Sequence, residues 1–231
     1  EKITVNGNVD LYAVVFNRAT ETDLTEDQLP QVDIYKYKQV IFVGDSRTEF
    51  MENVLTGMGE SATKNVKFVC SAGKGLDWFT TTGWAQLYSI VQHDSNSILS
   101  KKTAVIFNFG VNDLSKSADY AEYYNWIAPQ LKSKGCELYF MSVNPVNRLM
   151  LPNAGRADRS EAAVRSFNQY MKANLSSAYT YIDMYSYLKS TGYSFASDHY
   201  GTGTVDDGLH YTTRTYKRIF AKCMDSLRVP A

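Results

Sequence analysis

From Val40 onward the chain alternates short apolar, β-branched runs with longer stretches whose apolar residues recur at helical spacing. That alternation predicts parallel strands joined by crossover helices, an α/β class of fold. The strand candidates are Val40–Val43, Val66–Cys70, Ala104–Phe109, Glu137–Val143 and Tyr179–Ile182. Between the last two, Ala163, Val164, Phe167, Met171 and Leu175 keep i, i+3/i+4 spacing, and Asp158 with Glu161 forms a D-x-x-E start that predicts a capping box. Further helices are expected at Thr48–Gly57, in broken form across Leu76–Ser100, at Ala118–Lys134 and from Thr213 to Leu227. The run Asn144–Asp158, with Pro145, Pro152 and Gly155, has turn chemistry and follows a strand; it predicts a loop over the catalytic end of the sheet and a place for substrate selection. Residues 1–38 do not fit the alternation. There, Ile3–Val5 and Val9–Phe16 flank Asn6-Gly7-Asn8, which reads as a small hairpin in an N-terminal extension ahead of a domain spanning 39–231.

The length of 231 residues suits one sizeable core. With 24 Lys+Arg against 24 Asp+Glu, nothing in the net charge points to nucleic acid or an anionic membrane, and a small or neutral substrate is expected. No apolar run approaches the roughly 18–20 residues of a membrane helix. The start at Glu1 rather than Met points to a removed leader and an exported or surface-associated protein, with a cytoplasmic location as the alternative. Cys70, Cys136 and Cys223 lack metal or redox spacing and read as buried apolar residues. The 17 tyrosines are a soft hint of a carbohydrate or amphipathic ligand, since tyrosine can stack and hydrogen-bond at once, although half-buried structural positions explain them as well.

Three segments carry candidate chemistry. In Val40-Ile-Phe-Val-Gly-Asp-Ser46-Arg47-Thr48 an apolar strand stops at Gly-Asp-Ser and turns helical, which puts Ser46 where open α/β sheets bind ligands; the plain alternative is that Ser46 caps the helix. The second strand to end in a polar turn is Ala104–Phe109, followed by Gly110-Val-Asn112-Asp113; Asn112 could offer its amide to an oxyanion or simply form an Asx-turn. The third is Asp206-Asp207-Gly-Leu-His210, where Asp207 lies three positions before His210, close enough for its carboxylate to meet Nδ1 and leave Nε2 free; Asp206 is a rival, and a solvated loop histidine is the plain reading. Gly73 and Gly75, after the second strand, allow a backbone N–H to approach a substrate or merely form a turn.

The order Gly-Asp-Ser, Gly, Gly-x-Asn-Asp, Asp-x-x-His over roughly Val40 to Leu227 closely resembles the SGNH hydrolases, also called GDSL-type esterases and lipases. The resemblance implies a flavodoxin-like three-layer α/β/α sandwich around a five-stranded parallel sheet. It implies Ser46, Asp207 and His210 as the catalytic set, and Ser46, Gly73 and Asn112 as the oxyanion hole, with Gly73 preferred to Gly75 because it lies nearer the strand end. Arg47 stands where the family name has Leu, a change that leaves the nucleophile and the turn intact. His93 and His199 match no family block and read as structural.

The implied activity is a serine esterase that passes through an acyl-serine and needs no metal or cofactor. A short acyl group, acetyl above all, on a carbohydrate is the expected substrate: no long apolar lid is evident, export is expected and tyrosine is abundant. Rival readings are an O-acyltransferase acting on cell-wall or exopolysaccharide glycan, a lipase or lysophospholipase, and a non-catalytic glycan-binding module. Oligomeric state is not legible.

Overall fold

The computed structural model describes residues 24–25, 28–30, 37–94, 102–151, 159–196 and 206–227. The hairpin expected near the N-terminus lies outside these residues, as does His199; His93 falls in a helix, but its side chain is not among those described.

Five parallel strands form one sheet in the order β2-β1-β3-β4-β5: β1 Tyr37–Gly44, β2 Val66–Cys70, β3 Lys102–Asn108, β4 Cys136–Met141 and β5 Tyr179–Ile182. All five predicted strands are present. Both faces of the sheet are covered, so neighbouring residues of one strand enter different cores. In β1, Ile41 and Val43 join one cluster while Val40 and Phe42 join the other; in β4, Leu138 and Phe140 part from Tyr139 and Met141 in the same way. This double coverage is why β1, β3 and β4 carry unbroken apolar runs, Val40–Val43, Ala104–Phe107 and Leu138–Met141.

Eight helices flank the sheet among the described residues: α1 Ser46–Met58, α2 Glu60–Thr63, α3 Leu76–Trp78, α4 Trp84–Asp94, α5 Ser117–Ser133, α6 Glu161–Asn174, α7 Met184–Thr191 and α8 Thr213–Ser226. The apolar faces of α1, α7 and α8 pack with the cluster that contains Phe42, Phe50 and Phe220. Those of α3 to α6 pack with the cluster around Phe79, Phe107 and Tyr124. The result is the expected three-layer sandwich. The break expected across Leu76–Ser100 takes the form of a π-helical turn, Phe79–Gly83, which links α3 to α4. Phe79 projects from it into the core, edge-on to Phe107 and Tyr124.

Two local expectations change. Helix α6 is capped by Ser160, whose hydroxyl accepts from Ala163 N at 3.1 Å; Asp158, where the capping box was expected to begin, lies outside the described residues. Ser160 has the extended backbone a cap needs; Glu161 is already helical and accepts from Tyr185 Oη. The tyrosines serve the core more than the surface: Tyr37, Tyr120, Tyr124, Tyr211 and Tyr216 are almost wholly buried. Cys136 and Cys223 are buried and Cys70 is partly so.

Because β1 runs next to both β2 and β3, the chain leaves β1 at the point where strand order reverses, which is where open α/β sheets leave a crevice. Gly44 at the end of β1 lies in register with Cys70 of β2 and with Asn108 of β3. Three loops therefore start side by side at one level of the sheet.

Candidate active site

The first of these loops is a single residue. Asp45 caps α1, accepting from Arg47 N at 3.0 Å, and Ser46 is the first helical residue. Ser46 is thus not the cap; its side chain is left for other work at the positive end of the helix dipole. Gly44 is required by close approach: a Cβ there would lie 2.0 Å from Thr48 Oγ1 and 2.8 Å from the Asn108 carbonyl.

Ser46 Oγ lies 2.9 Å from His210 Nε2, and His210 Nδ1 lies 2.6 Å from Asp207 Oδ2. Asp207 Oδ1 accepts from the backbone N–H groups of Leu209 and His210 at 2.9 and 2.8 Å, so the Asp-x-x-His spacing closes a tight turn on its own carboxylate. Burial pushes the Asp207 carboxyl up, but the ring and backbone hydrogen bonds from His210 outweigh it and hold the group below the usual carboxylate range. An ionised carboxylate only accepts, so Nδ1 carries the proton and Nε2 accepts from the Ser46 hydroxyl. Asp206, the rival acid, is engaged elsewhere, by Asn147 Nδ2 at 2.6 Å and Gly208 N at 2.6 Å.

The second and third loops lock together. Asn112 Nδ2 donates to the Lys74 carbonyl at 2.7 Å, and Asp113 accepts from Leu76 N at 2.9 Å and from Tyr120 Oη at 2.7 Å. These contacts distinguish the two glycines. Gly75 is fixed by packing, since a Cβ there would sit 2.3 Å from Asp113 Oδ2. Gly73 has φ +70°, a left-handed conformation that glycine adopts without strain. The backbone N–H groups of Ser46 and Gly73 carry no hydrogen bond among the described residues.

Three further residues shape the site, and the sequence alone does not disclose them. Phe50, one helical turn after Ser46, lies against the His210 ring at a centroid distance of 4.2 Å. Arg47 is almost fully buried and donates from Nε to the Leu209 carbonyl, from Nη1 to Asn144 and from Nη2 to Pro145, each at 2.9 Å. Its guanidinium also lies over the Tyr211 ring, 5.1 Å from the centroid, while Tyr211 Oη donates to the Pro145 carbonyl. So the residue after the serine clamps the histidine loop from both sides of His210 and ties it to the start of the loop after β4. Arg159, just ahead of α6, donates to the Val111 carbonyl and to Asn112 Oδ1. A helical i, i+4 relation to Ser46 was the available signal for Phe50; buried arginines run against residue statistics and had none. The part of the Asn144–Asp158 loop within the described residues reaches the histidine loop, with Asn147 N donating to the Gly208 carbonyl at 2.9 Å.

Among the described residues no group of three or more His, Cys, Asp and Glu side chains is placed to hold a metal ion, and no helix is long and apolar enough to cross a membrane.

The chain is similar in structure to a candidate SGNH hydrolase from Slackia heliotrinireducens (13% identity, TM-score 0.58, covering 84% of this chain and 100% of that one). It is similar to a candidate acylhydrolase from Bacteroides fragilis NCTC 9343 (16%, 0.53, 87% and 92%) and to the acetyl xylan esterase AlAXEase (12%, 0.51, 82% and 100%). No curated protein sequence matches it significantly. At these identities the likeness concerns the fold. The sequence profile of the GDSL-like lipase/acylhydrolase family matches residues 8–223. The chain therefore belongs to the GDSL-like lipase/acylhydrolase family and is an ester-hydrolysing enzyme.

Proposed function

We propose that the protein is a serine esterase that removes short acyl groups, acetyl above all, from a carbohydrate, with Ser46 as nucleophile. The observation that carries the mechanism is the continuous chain from Ser46 Oγ through His210 to Asp207, at 2.9 and 2.6 Å. His210 Nε2 takes the hydroxyl proton as Ser46 Oγ bonds to the ester carbon, and Asp207 stabilises the resulting imidazolium. The tetrahedral oxyanion is received by the backbone N–H groups of Ser46 and Gly73 and by the Asn112 amide. The carbon–oxygen bond to the alcohol then breaks, and the alcohol leaves with the proton from Nε2. Water, deprotonated by the same nitrogen, cleaves the acyl-serine and releases the acid.

The polar character of the rim supports a hydrophilic alcohol: Asn112 on the loop after β3, Asn147 on the loop after β4 and Asp206 beside Asp207 stand near the proposed triad. Tyrosine abundance does not add support, because the largest buried side chains include so many of them. The test is hydrolysis of esters of increasing acyl length beside an acetylated polysaccharide, with Ser46→Ala as control. The reading expects acetyl to be preferred and acetate to be released from the glycan. Preference for long-chain esters rejects the substrate assignment, and parental turnover by Ser46→Ala rejects the nucleophile.

A further inference from the structure

Asn112 is useful as an oxyanion donor only if its amide faces the right way, and a primary amide can fit its density of contacts in two orientations related by a flip. The surroundings here admit one. Arg159 can only donate, so the atom it meets at 2.5 Å must be Oδ1; the Lys74 carbonyl can only accept, so the atom it meets at 2.7 Å must be Nδ2. The flipped amide would set N–H against guanidinium and carbonyl against carbonyl. Once Oδ1 and one Nδ2 hydrogen are committed, the second Nδ2 hydrogen has no partner among the described residues.

Arg159 is well suited to enforce this. Its side chain is buried, with 2% exposure, and its fork spans two successive groups of the loop after β3, Nε to the Val111 carbonyl and Nη2 to Asn112 Oδ1, both at 2.5 Å. A planar guanidinium that holds both the backbone and the side chain of that loop removes the freedom of the amide to rotate. It also places a full positive charge behind the carbonyl end of the amide. Withdrawing electron density through Oδ1 strengthens the N–H at the other end as a donor, and hydrogen bonds in series reinforce one another in this manner. The charge reaches the nucleophile's neighbourhood too, since Arg159 is among the groups that favour the ionised form of Asp45, the cap of the Ser46 helix.

We propose that Arg159 is a positioning residue of the oxyanion site, holding the Asn112 amide in the orientation that turns an N–H toward the substrate carbonyl and polarising that donor. The proposal rests on the reading of Asn112 as an oxyanion donor. It extends that site to a residue on a different crossover, between β4 and α6, that carries no part of the recognised motif.

A double-mutant cycle on a p-nitrophenyl acetate assay tests it, with kcat and KM measured for the parent, R159M, N112A and the double variant. Loss of the donor itself is worth about 10²–10³-fold in kcat, and R159M is expected to lose at least about tenfold of that with KM nearly unchanged. In the N112A background R159M is expected to cost no more than about threefold, because the two residues act through one hydrogen bond. Losses that multiply in full make Arg159 a structural residue and overturn the proposal, as does a loss confined to KM, which marks direct substrate contact, or a parental kcat for R159M. A parental kcat for N112A removes the donor reading beneath it as well, which separates the two failures. Should R159M not fold, the same cycle with R159K decides: one ammonium cannot reproduce the fork, so kcat falls in the parent background and hardly further in N112A, and equal losses in both backgrounds overturn the proposal.

Discussion

The rings of Phe50 and His210 lie 4.2 Å apart, centroid to centroid, and tilted by 45°, and Phe50 follows Ser46 by one turn of the same helix. Helix α1 thus delivers both the hydroxyl and a wall that keeps the imidazole from swinging away from it. Phe50→Leu keeps an apolar side chain but loses the flat wall. It should fold, with kcat lowered by roughly tenfold if an orientation loss of about 1.4 kcal/mol results. Phe50→Ala leaves a cavity and should cost about 3–5 kcal/mol in stability. Steady-state kinetics with urea unfolding checks both; parental kcat in Phe50→Leu would show that the ring does not restrain His210.

Asp207 and Asp206 are adjacent in sequence and separate in role, the first bonded to the His210 ring and the second to Asn147 and Gly208. Asp207→Asn puts a donor opposite Nδ1 and favours the tautomer in which Nε2 carries the proton, so it cannot accept from Ser46. By the triad argument kcat should fall on the order of 10⁴-fold while the protein stays folded. Asp206→Asn retains an acceptor for Gly208 N and should leave kcat close to parental. If the two effects are reversed in the same ester assay, the acid has been misassigned.

Which parts of this molecule could be read in advance follows from what each signal depends on. Strands covered on both faces must be apolar along their whole length, so β1 and β3 declare themselves; α8 does so by its strong amphipathic period. Ser46, Asp207 and His210 were legible because each sits in a local turn whose residues also make the turn: the Asp45 cap, the Asp207 carboxylate on Leu209 and His210 N–H groups. Arg47 and Arg159 were not, since their partners are carbonyls and an amide far away in sequence, and an arginine met in isolation reads as surface. The packing that requires glycine at 75 likewise depends on Asp113, 38 residues further along the chain.

Arg47 stands where the motif name has leucine, and Arg47→Leu tests what the cation contributes. The substitution removes the Arg47 donors of three buried carbonyls, Leu209, Asn144 and Pro145, of which Pro145 keeps the Tyr211 hydroxyl as a donor. Unsatisfied buried acceptors make this a loss on the order of 3 kcal/mol. For a chain of this length that is about 6–12 °C in Tm. Turnover should fall as well, because the histidine loop loses its anchor on the Leu209 side. Arg47→Lys keeps the charge but serves fewer carbonyls, so it should fall between the two. Calorimetry showing an unchanged Tm for Arg47→Leu would mean that the loop holds without the clamp.

Asp45 gives stability a pH dependence of opposite sign to that of Asp207. Burial raises its carboxyl to about 6, against the Arg47 N–H and the Arg47 and Arg159 charges, from an ordinary 3.8. A carboxyl raised in the folded state contributes stability that is fully present below its unfolded value and lost as pH rises through its folded value, here between about pH 4 and 6. About two units of difference correspond to at most about 3 kcal/mol. Asp207, lowered in the folded protein, works the other way: its stabilisation is lost as pH falls below the usual carboxylate range, so the two windows separate on the acid side. Asp45→Asn keeps an oxygen to accept from Arg47 N and so preserves the cap. Its stability relative to the parent should therefore improve by about 2–3 kcal/mol from pH 4 to pH 7, read from urea unfolding at constant ionic strength. A difference that stays flat across that range would show that the Asp45 carboxyl is not raised, and that the Arg47 and Arg159 charges fully compensate its burial.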